Sequence, residues 1–134
     1  MIVAVFDTNV LVAAIITEGI CSKLLHRARA GEFSLVSSPF IMMELRRILS
    51  KKFHLHREEA AFAIEPIHEA IRQIINHNIK IENICRDADD DHIIACALAA
   101  NADYLVTGDH DLLEVKNCQG VQIITPRDFE SLFI

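Results

Sequence analysis

Apolar residues run unbroken from Ile2 to Phe6 and are mostly β-branched, the pattern of a strand buried on both faces. Asp7-Thr8-Asn9 interrupts this run, and apolar positions then resume at helical spacing through Ile16. Cys21 to Ala30 reads as a second helix closed by Gly31. Phe33 to Val36 reads as a short strand. Ser37-Ser38-Pro39 then supplies a serine cap and a proline at the first helical position, opening a helix to about Leu49. The longest helical pattern spans Arg57 to His77, with Ala61, Ile64, Ile67/His68, Ile71 and Ile74/Ile75 on one face and a kink or break expected at Pro66. Ile79–Ile81 is expected as a strand, Asp89–Asn101 as an Ala-rich helix and Tyr104–Val106 as a strand. A brief helix is expected at 111–114. Val121–Ile124 is the last strand, followed by Thr125-Pro126-Arg127-Asp128, which caps a terminal helix.

Strands alternating with helices through short connections predict an α/β fold with a parallel sheet covered on both faces. Ligands of such sheets gather at the carboxyl ends of the strands. Asp7 lies one residue past the first strand and Asp109 three past the Tyr104–Val106 strand, so two acids remote in sequence are expected at one edge. With 134 residues, no repeat and no linker composition, the chain reads as one domain, residues 1–134.

Composition narrows the class. The chain is 51% hydrophobic and 24% charged, a globular and not a disordered balance. The apolar start has no basic leader and is interrupted by Asp7 and Asn9. No stretch approaches the roughly 18 continuous apolar residues of a membrane span, so a cytoplasmic protein without membrane contact is expected. Cys21, Cys85, Cys96 and Cys118 form no CxxC pair, which argues against a zinc site or a redox motif and for buried free thiols.

The net charge of −6 is unevenly divided. Residues 82–114 carry nine acids against the single base Arg86, whereas residues 23–57 carry eight bases against Glu32 and Glu44. An acidic pole beside a basic region suits an enzyme that holds a metal and attracts a polyanion. A solvated acidic helix start, favoured by the helix dipole, is the plainer alternative for the acids. A solvated face is the plainer alternative for Arg46, Arg47, Lys51 and Lys52, whose sharper reading is RNA contact.

The candidate acids are Asp7, Glu44, Asp91 and Asp109. Phosphodiester hydrolysis assisted by one or two cations about 3.5–4 Å apart requires such a set, and Mg²⁺ or Mn²⁺ is the hard ion that carboxylates select. Thr107 can orient a water or a neighbouring carboxylate through its hydroxyl, and Asn9 can fix Asp7. Asp7 and Asp109 also suit helix caps, and Asp111 suits an Asx cap for Leu112-Leu113. The histidines offer no third ligand at suitable spacing and no HExxH. His92 and His110, each beside a proposed ligand, are read as solvated neighbours ahead of proton-transfer groups. An aspartyl-nucleophile phosphatase wants an acid where Asn9 stands, and a receiver domain wants paired acids after the first strand. Neither GxGxxG nor GxxxxGK[ST] occurs.

The segments FDTNVLVAAI, SSPFIMMEL, DDDHIIACALAANADYLVTGDHDLL and IITPRDF, in this order, resemble the PIN-domain ribonucleases. More closely, they resemble the prokaryotic branch of toxins from VapC-like, type II toxin–antitoxin systems. The resemblance covers nearly the whole chain. It implies a three-layer α/β/α Rossmann-like fold with a central parallel sheet, and a Mg²⁺- or Mn²⁺-dependent endoribonuclease, usually a homodimer, with an antitoxin as partner. The four family acids fall on Asp7, Glu44, Asp91 and Asp109, with Asp111 as a frequent accessory. Asp87, Asp89 and Asp90 compete with Asp91 for the third position. The alternative is a non-catalytic PIN-like module that binds RNA or protein.

Overall fold

The computed structural model describes residues 1–76 and 88–133. The elements are β1 (Val3–Phe6), α1 (Thr8–Ile16), α2 (Ile20–Arg29), β2 (Ser34–Ser37), α3 (Pro39–Lys51), α4 (Arg57–Ala70) and β3 (Ile71–Ile74). There follow α5 (Ala88–Ala99), β4 (Tyr104–Val106), α6 (His110–Val115), β5 (Asn117–Cys118), β6 (Val121–Ile124), α7 (Pro126–Glu130) and a final 3₁₀ turn. The six strands form one sheet in the order β3-β2-β1-β4-β6-β5, parallel except for β5, with helices on both faces. This is the expected three-layer α/β/α arrangement.

The order reverses at β1. From there the chain steps outward through β2 and β3, then returns to place β4 on the other side of β1. That reversal falls at the carboxyl ends of β1 and β4, the usual place for a ligand in a doubly wound sheet. Phe6 pairs with Val106 and Val106 with Ile124, so the residues one step on, Asp7, Thr107 and Thr125, stand side by side along that edge.

Local sequence explains most element ends. Gly31, at φ +80°, follows α2 as its left-handed residue. Its N–H donates to the Ala28 carbonyl, and the Glu32 N–H donates to that of Arg27, which together close the helix. The Ser38 hydroxyl accepts from the Ile41 N–H at 3.2 Å, with Pro39 at the first helical position of α3. The Thr125 hydroxyl caps α7 by accepting from the Asp128 N–H at 3.1 Å.

The Arg57–His77 helix required correction. α4 runs through Pro66 without a break and ends at Ala70, and Ile71–Ile74 is strand β3. Its buried face is Ala60, Ile64, Ile67 and Ala70, while Ala61 and His68 are exposed. The segment Ile-Arg-Gln-Ile matches a helical period over so short a window, but it lies beside β2 and supplies the outermost strand. The expected strand Ile79–Ile81 falls outside the described residues. β5, not foreseen, forms a tight hairpin with β6. Gln119 and Gly120 both take positive φ, the conformation of a two-residue primed turn that matches strand twist.

A fully buried ring cluster holds the first strand to the last helix. Phe33 and Phe129 meet edge to face with centroids 5.0 Å apart, and Phe6 meets Phe129 at 5.9 Å. Beside it, Arg27 donates two hydrogen bonds to the Glu130 carboxylate, at 2.7 and 2.8 Å, while its guanidinium lies over the Phe133 ring. Cys96 and Cys118 are buried free thiols and Cys21 is a half-buried one, whereas Cys85 lies outside the described residues. Among the described residues, no single helix is long and apolar enough to cross a membrane.

Candidate active site at the carboxyl edge of the sheet

Asp7 stands where β1 becomes α1. Its N–H extends the sheet by donating to the Val106 carbonyl at 2.9 Å, and its own carbonyl accepts from Val10 and Leu11 to start the helix. Its backbone therefore holds the N-cap position of α1, but its side chain makes no capping bond. The carboxylate instead accepts a hydrogen bond from the Thr107 hydroxyl at 2.7 Å. Asp7 is only 5% exposed. Burial raises its pKa above the ordinary carboxylate value, opposed by the Thr107 hydroxyl and the Thr8 N–H and reinforced by the nearby charges of Asp109 and Glu44.

Thr107, fully buried one residue past β4, connects two of the acids. While donating to Asp7, its oxygen accepts the Asp109 N–H at 3.0 Å. Asp109 caps α6, its Oδ1 accepting from Asp111 N–H at 2.8 Å and Leu112 N–H at 3.4 Å. The cap thus belongs to Asp109 rather than to Asp111, which sits half-buried in the first turn of α6. Only one Asp109 oxygen is engaged in that cap.

Glu44 reaches the edge from α3. This helix leaves the carboxyl end of β2, so its first turns lie at the level of Asp7. The Glu44 side chain is 14% exposed and accepts the Thr8 hydroxyl at 2.5 Å, with Arg47 at 3.9 Å from its other oxygen. Sequence reasoning overlooked Thr8. The position expected to support Asp7, Asn9, is exposed, and the hydroxyl that holds Asp7 is that of Thr107.

Asp91 is half-buried in the first turn of α5. α5 packs against β1 and β4 and leads into β4 from its amino end, so the first turn of α5 lies toward the carboxyl edge. Asp87 lies outside the described residues, as do the side chains of Asp89 and Asp90. Of the basic candidates, Arg47, Lys51 and Lys52 gather around a shared hollow at the far end of α3, whereas Arg46 turns to His68 of α4, 3.5 Å away.

The donors are hard oxygens from separate elements, and the electrostatic strain among Asp7, Glu44 and Asp109 is of the kind a divalent cation relieves. Among the described residues, no three His, Cys, Asp or Glu side chains converge into a metal cage. By donor chemistry, hard carboxylate oxygens from separate elements suit a divalent cation held through few direct ligands and several waters.

The sequence model of the PIN domain matches residues 3–111, which include all four acids. The chain belongs to the PIN domain family. That family is one of nucleases. Among solved structures, the crystal structure of VapBC2 from Rickettsia felis bound to a DNA fragment from their promoter aligns with a TM-score of 0.70 at 17% identity. The alignment covers 92% of this chain and 98% of that one, a match of fold. None of the curated proteins compared matches this PIN chain.

Proposed function

We propose that this PIN protein is a Mg²⁺- or Mn²⁺-dependent endoribonuclease, and that it serves as the toxin of a toxin–antitoxin pair. The observation that carries the reading is the meeting of Asp7 and Asp109, from two strand ends, with Glu44 from α3. They stand close enough that the latter two raise the pKa of Asp7. Asp7, Glu44, Asp91 and Asp109 would hold the cation, which when bound activates a water and stabilises the departing oxygen of the phosphodiester. The chain's own part is positional. Thr107 fixes the Asp7 carboxylate and the Asp109 backbone with one hydroxyl, and Thr8 fixes Glu44. Asp111 supports the Asp109 turn through its N–H.

The likeness to the VapBC2 fold supports an antitoxin as partner. A homodimer, a cytoplasmic location and a single domain spanning 1–134 complete the proposal. The test is cleavage of RNA by purified protein with Mn²⁺, with EDTA, and in the variants Asp7→Asn and Asp91→Asn. Metal-dependent cutting lost in both variants is expected. RNA left uncut in Mg²⁺ and Mn²⁺ alike refutes the enzymatic reading in favour of a binding module. Wild-type rates in Asp91→Asn alone refute the third position.

A further inference from the structure

α3 carries more than Glu44 along its outward border. At about 100° per residue, Phe40, Arg47, Ile48 and Lys51 all lie within about 60° of Glu44 around the helix. The stripe is therefore aromatic at its start, acidic in the middle and cationic at its end. At the start, the half-buried Phe40 ring is stacked with exposed His92 of α5, centroids 4.3 Å apart and planes 17° from parallel. His92 directly follows Asp91 in sequence, so this stack borders the acidic edge. At the other end, Arg47, Ile48, Lys51 and Lys52 line an open hollow of about 300 Å³. Cations in a last helical turn favour the helix dipole, but that role requires no shared hollow. Neither Lys51 nor Lys52 pairs with a carboxylate among the described residues.

From these placements, and resting on the ribonuclease reading, we infer that the α3 stripe is a binding track for single-stranded RNA. An unpaired base stacks on the Phe40–His92 pair, and backbone phosphates sit over the Arg47–Lys51–Lys52 hollow. The scissile bond lies between them at Glu44. Glu44 and Lys51 are about 10 Å apart along the helix, a reach of one to two nucleotides of extended strand. A base held in a duplex stack exposes no face to a third ring, so the aromatic end selects unpaired RNA. Arg46, turned to His68, takes no part.

The test is anisotropy of a short fluorescein-labelled RNA strand in EDTA across a salt series. His92→Ala is expected to weaken binding of the single strand about tenfold with an unchanged salt slope. It should have no effect on duplex RNA or on a strand lacking the stacked base. The double variant Lys51→Gln/Lys52→Gln is expected to reduce the log–log salt slope by about 1.4, about 0.7 for each lost phosphate contact. Both sets of positions are at the surface, and thermal melts verify folding. Unchanged affinity in His92→Ala, an equal loss on duplex, or an unchanged slope in the lysine variant overturns the inference. Binding is read without metal. Failure to cleave with both dependences present therefore refutes only the nuclease reading, and cleavage with neither dependence refutes only the track.

Discussion

Thr107→Val removes one hydroxyl and keeps the shape of the side chain. In the wild type that hydroxyl is fully buried, donates to Asp7 at 2.7 Å and accepts from the Asp109 N–H at 3.0 Å. A hydrogen bond to a charged group contributes about 1.5–3 kcal/mol, and a buried N–H left without an acceptor costs about 1–3 kcal/mol. The added methyl offsets about 0.8 kcal/mol through apolar burial. The net loss is about 3 kcal/mol, or roughly 10 °C in melting temperature for a domain of this size. Urea unfolding at neutral pH measures it, with Thr107→Ser as the control that keeps the hydroxyl and most of the stability. The hydroxyl also lowers the Asp7 pKa, so the deficit should shrink in acid, where Asp7 is protonated in both proteins. A double-mutant cycle isolates the pair. In an Asp7→Asn background, Thr107→Val should cost less by about 1 kcal/mol, the charged part of the bond. A loss under 0.5 kcal/mol, or zero coupling in the cycle, would show that Thr107 does not hold Asp7 in solution.

Asp7→Asn alone should stabilise the metal-free protein. The folded state raises the Asp7 pKa, so the fold favours the acid form, and the wild type loses stability as pH rises through the folded pKa. Each unit of that rise amounts to about 1.4 kcal/mol at neutral pH. The advantage of Asn over Asp should thus be absent near pH 3, grow with pH and then level off, as read by unfolding at several pH values. No advantage at pH 7.5 would sink the assignment of Asp7 as a buried, repelled carboxylate. Saturating Mn²⁺ should raise the wild-type melting temperature, the stabilisation reaching about 2.7 kcal/mol at a hundred times Kd, and Asp7→Asn should lose that response. Glu130 has the opposite sign. The Arg27 guanidinium lowers its pKa, so its contribution is present above the ordinary carboxylate range and is lost as pH falls through the folded pKa. Glu130→Gln should flatten this acid limb, and an unchanged limb would place the Arg27 pair outside the stability of the fold. Leu45→Ala, at a fully buried position of α3, should cost about 3 kcal/mol in urea unfolding.

The order of elements was legible wherever apolar period and cap agreed. Ser38-Pro39 and Thr125-Pro126 opened helices where expected, and Tyr104–Val106 is a strand as written. The errors arose where local period was ambiguous. Ile71 and Ile74 are three apart, which fits one face of a helix, yet Ile71 adopts extended backbone as soon as α4 ends. What decides is pairing with Leu35, Val36 and Ser37 of β2, a partner remote in sequence. β5 spans two residues, too few for alternation to register, and only its Gln119-Gly120 turn signals it.

Site geometry was legible in the same uneven way. An acid one residue past a buried strand is informative because parallel strands share an edge, and that argument alone brings Asp7 beside the turn of Asp109. The Thr107 hydroxyl is legible as one that can orient a neighbouring carboxylate, but which carboxylate it meets carries no such signature. Thr8 and Thr107 look alike in sequence, each beside a candidate acid, and only the register of Phe6 with Val106 sets the Thr107 hydroxyl against Asp7 across the sheet. The structure shows Asp109 as a cap, and that role does not compete with the proposed one. One oxygen fixes the first turn of α6 through Asp111 and Leu112, and the N–H of the same residue is fixed by Thr107. A carboxylate restrained on both sides loses little further freedom when its second oxygen binds a ligand, so the cap helps to preorganise Asp109. On that argument, Asp111→Pro, which deletes the N–H that Oδ1 accepts while proline remains tolerated in the first turn, should weaken Mn²⁺ binding more than Asp111→Ala, which keeps it. Equal Mn²⁺ affinity in the two variants, read by titration calorimetry, would separate the cap from the metal function.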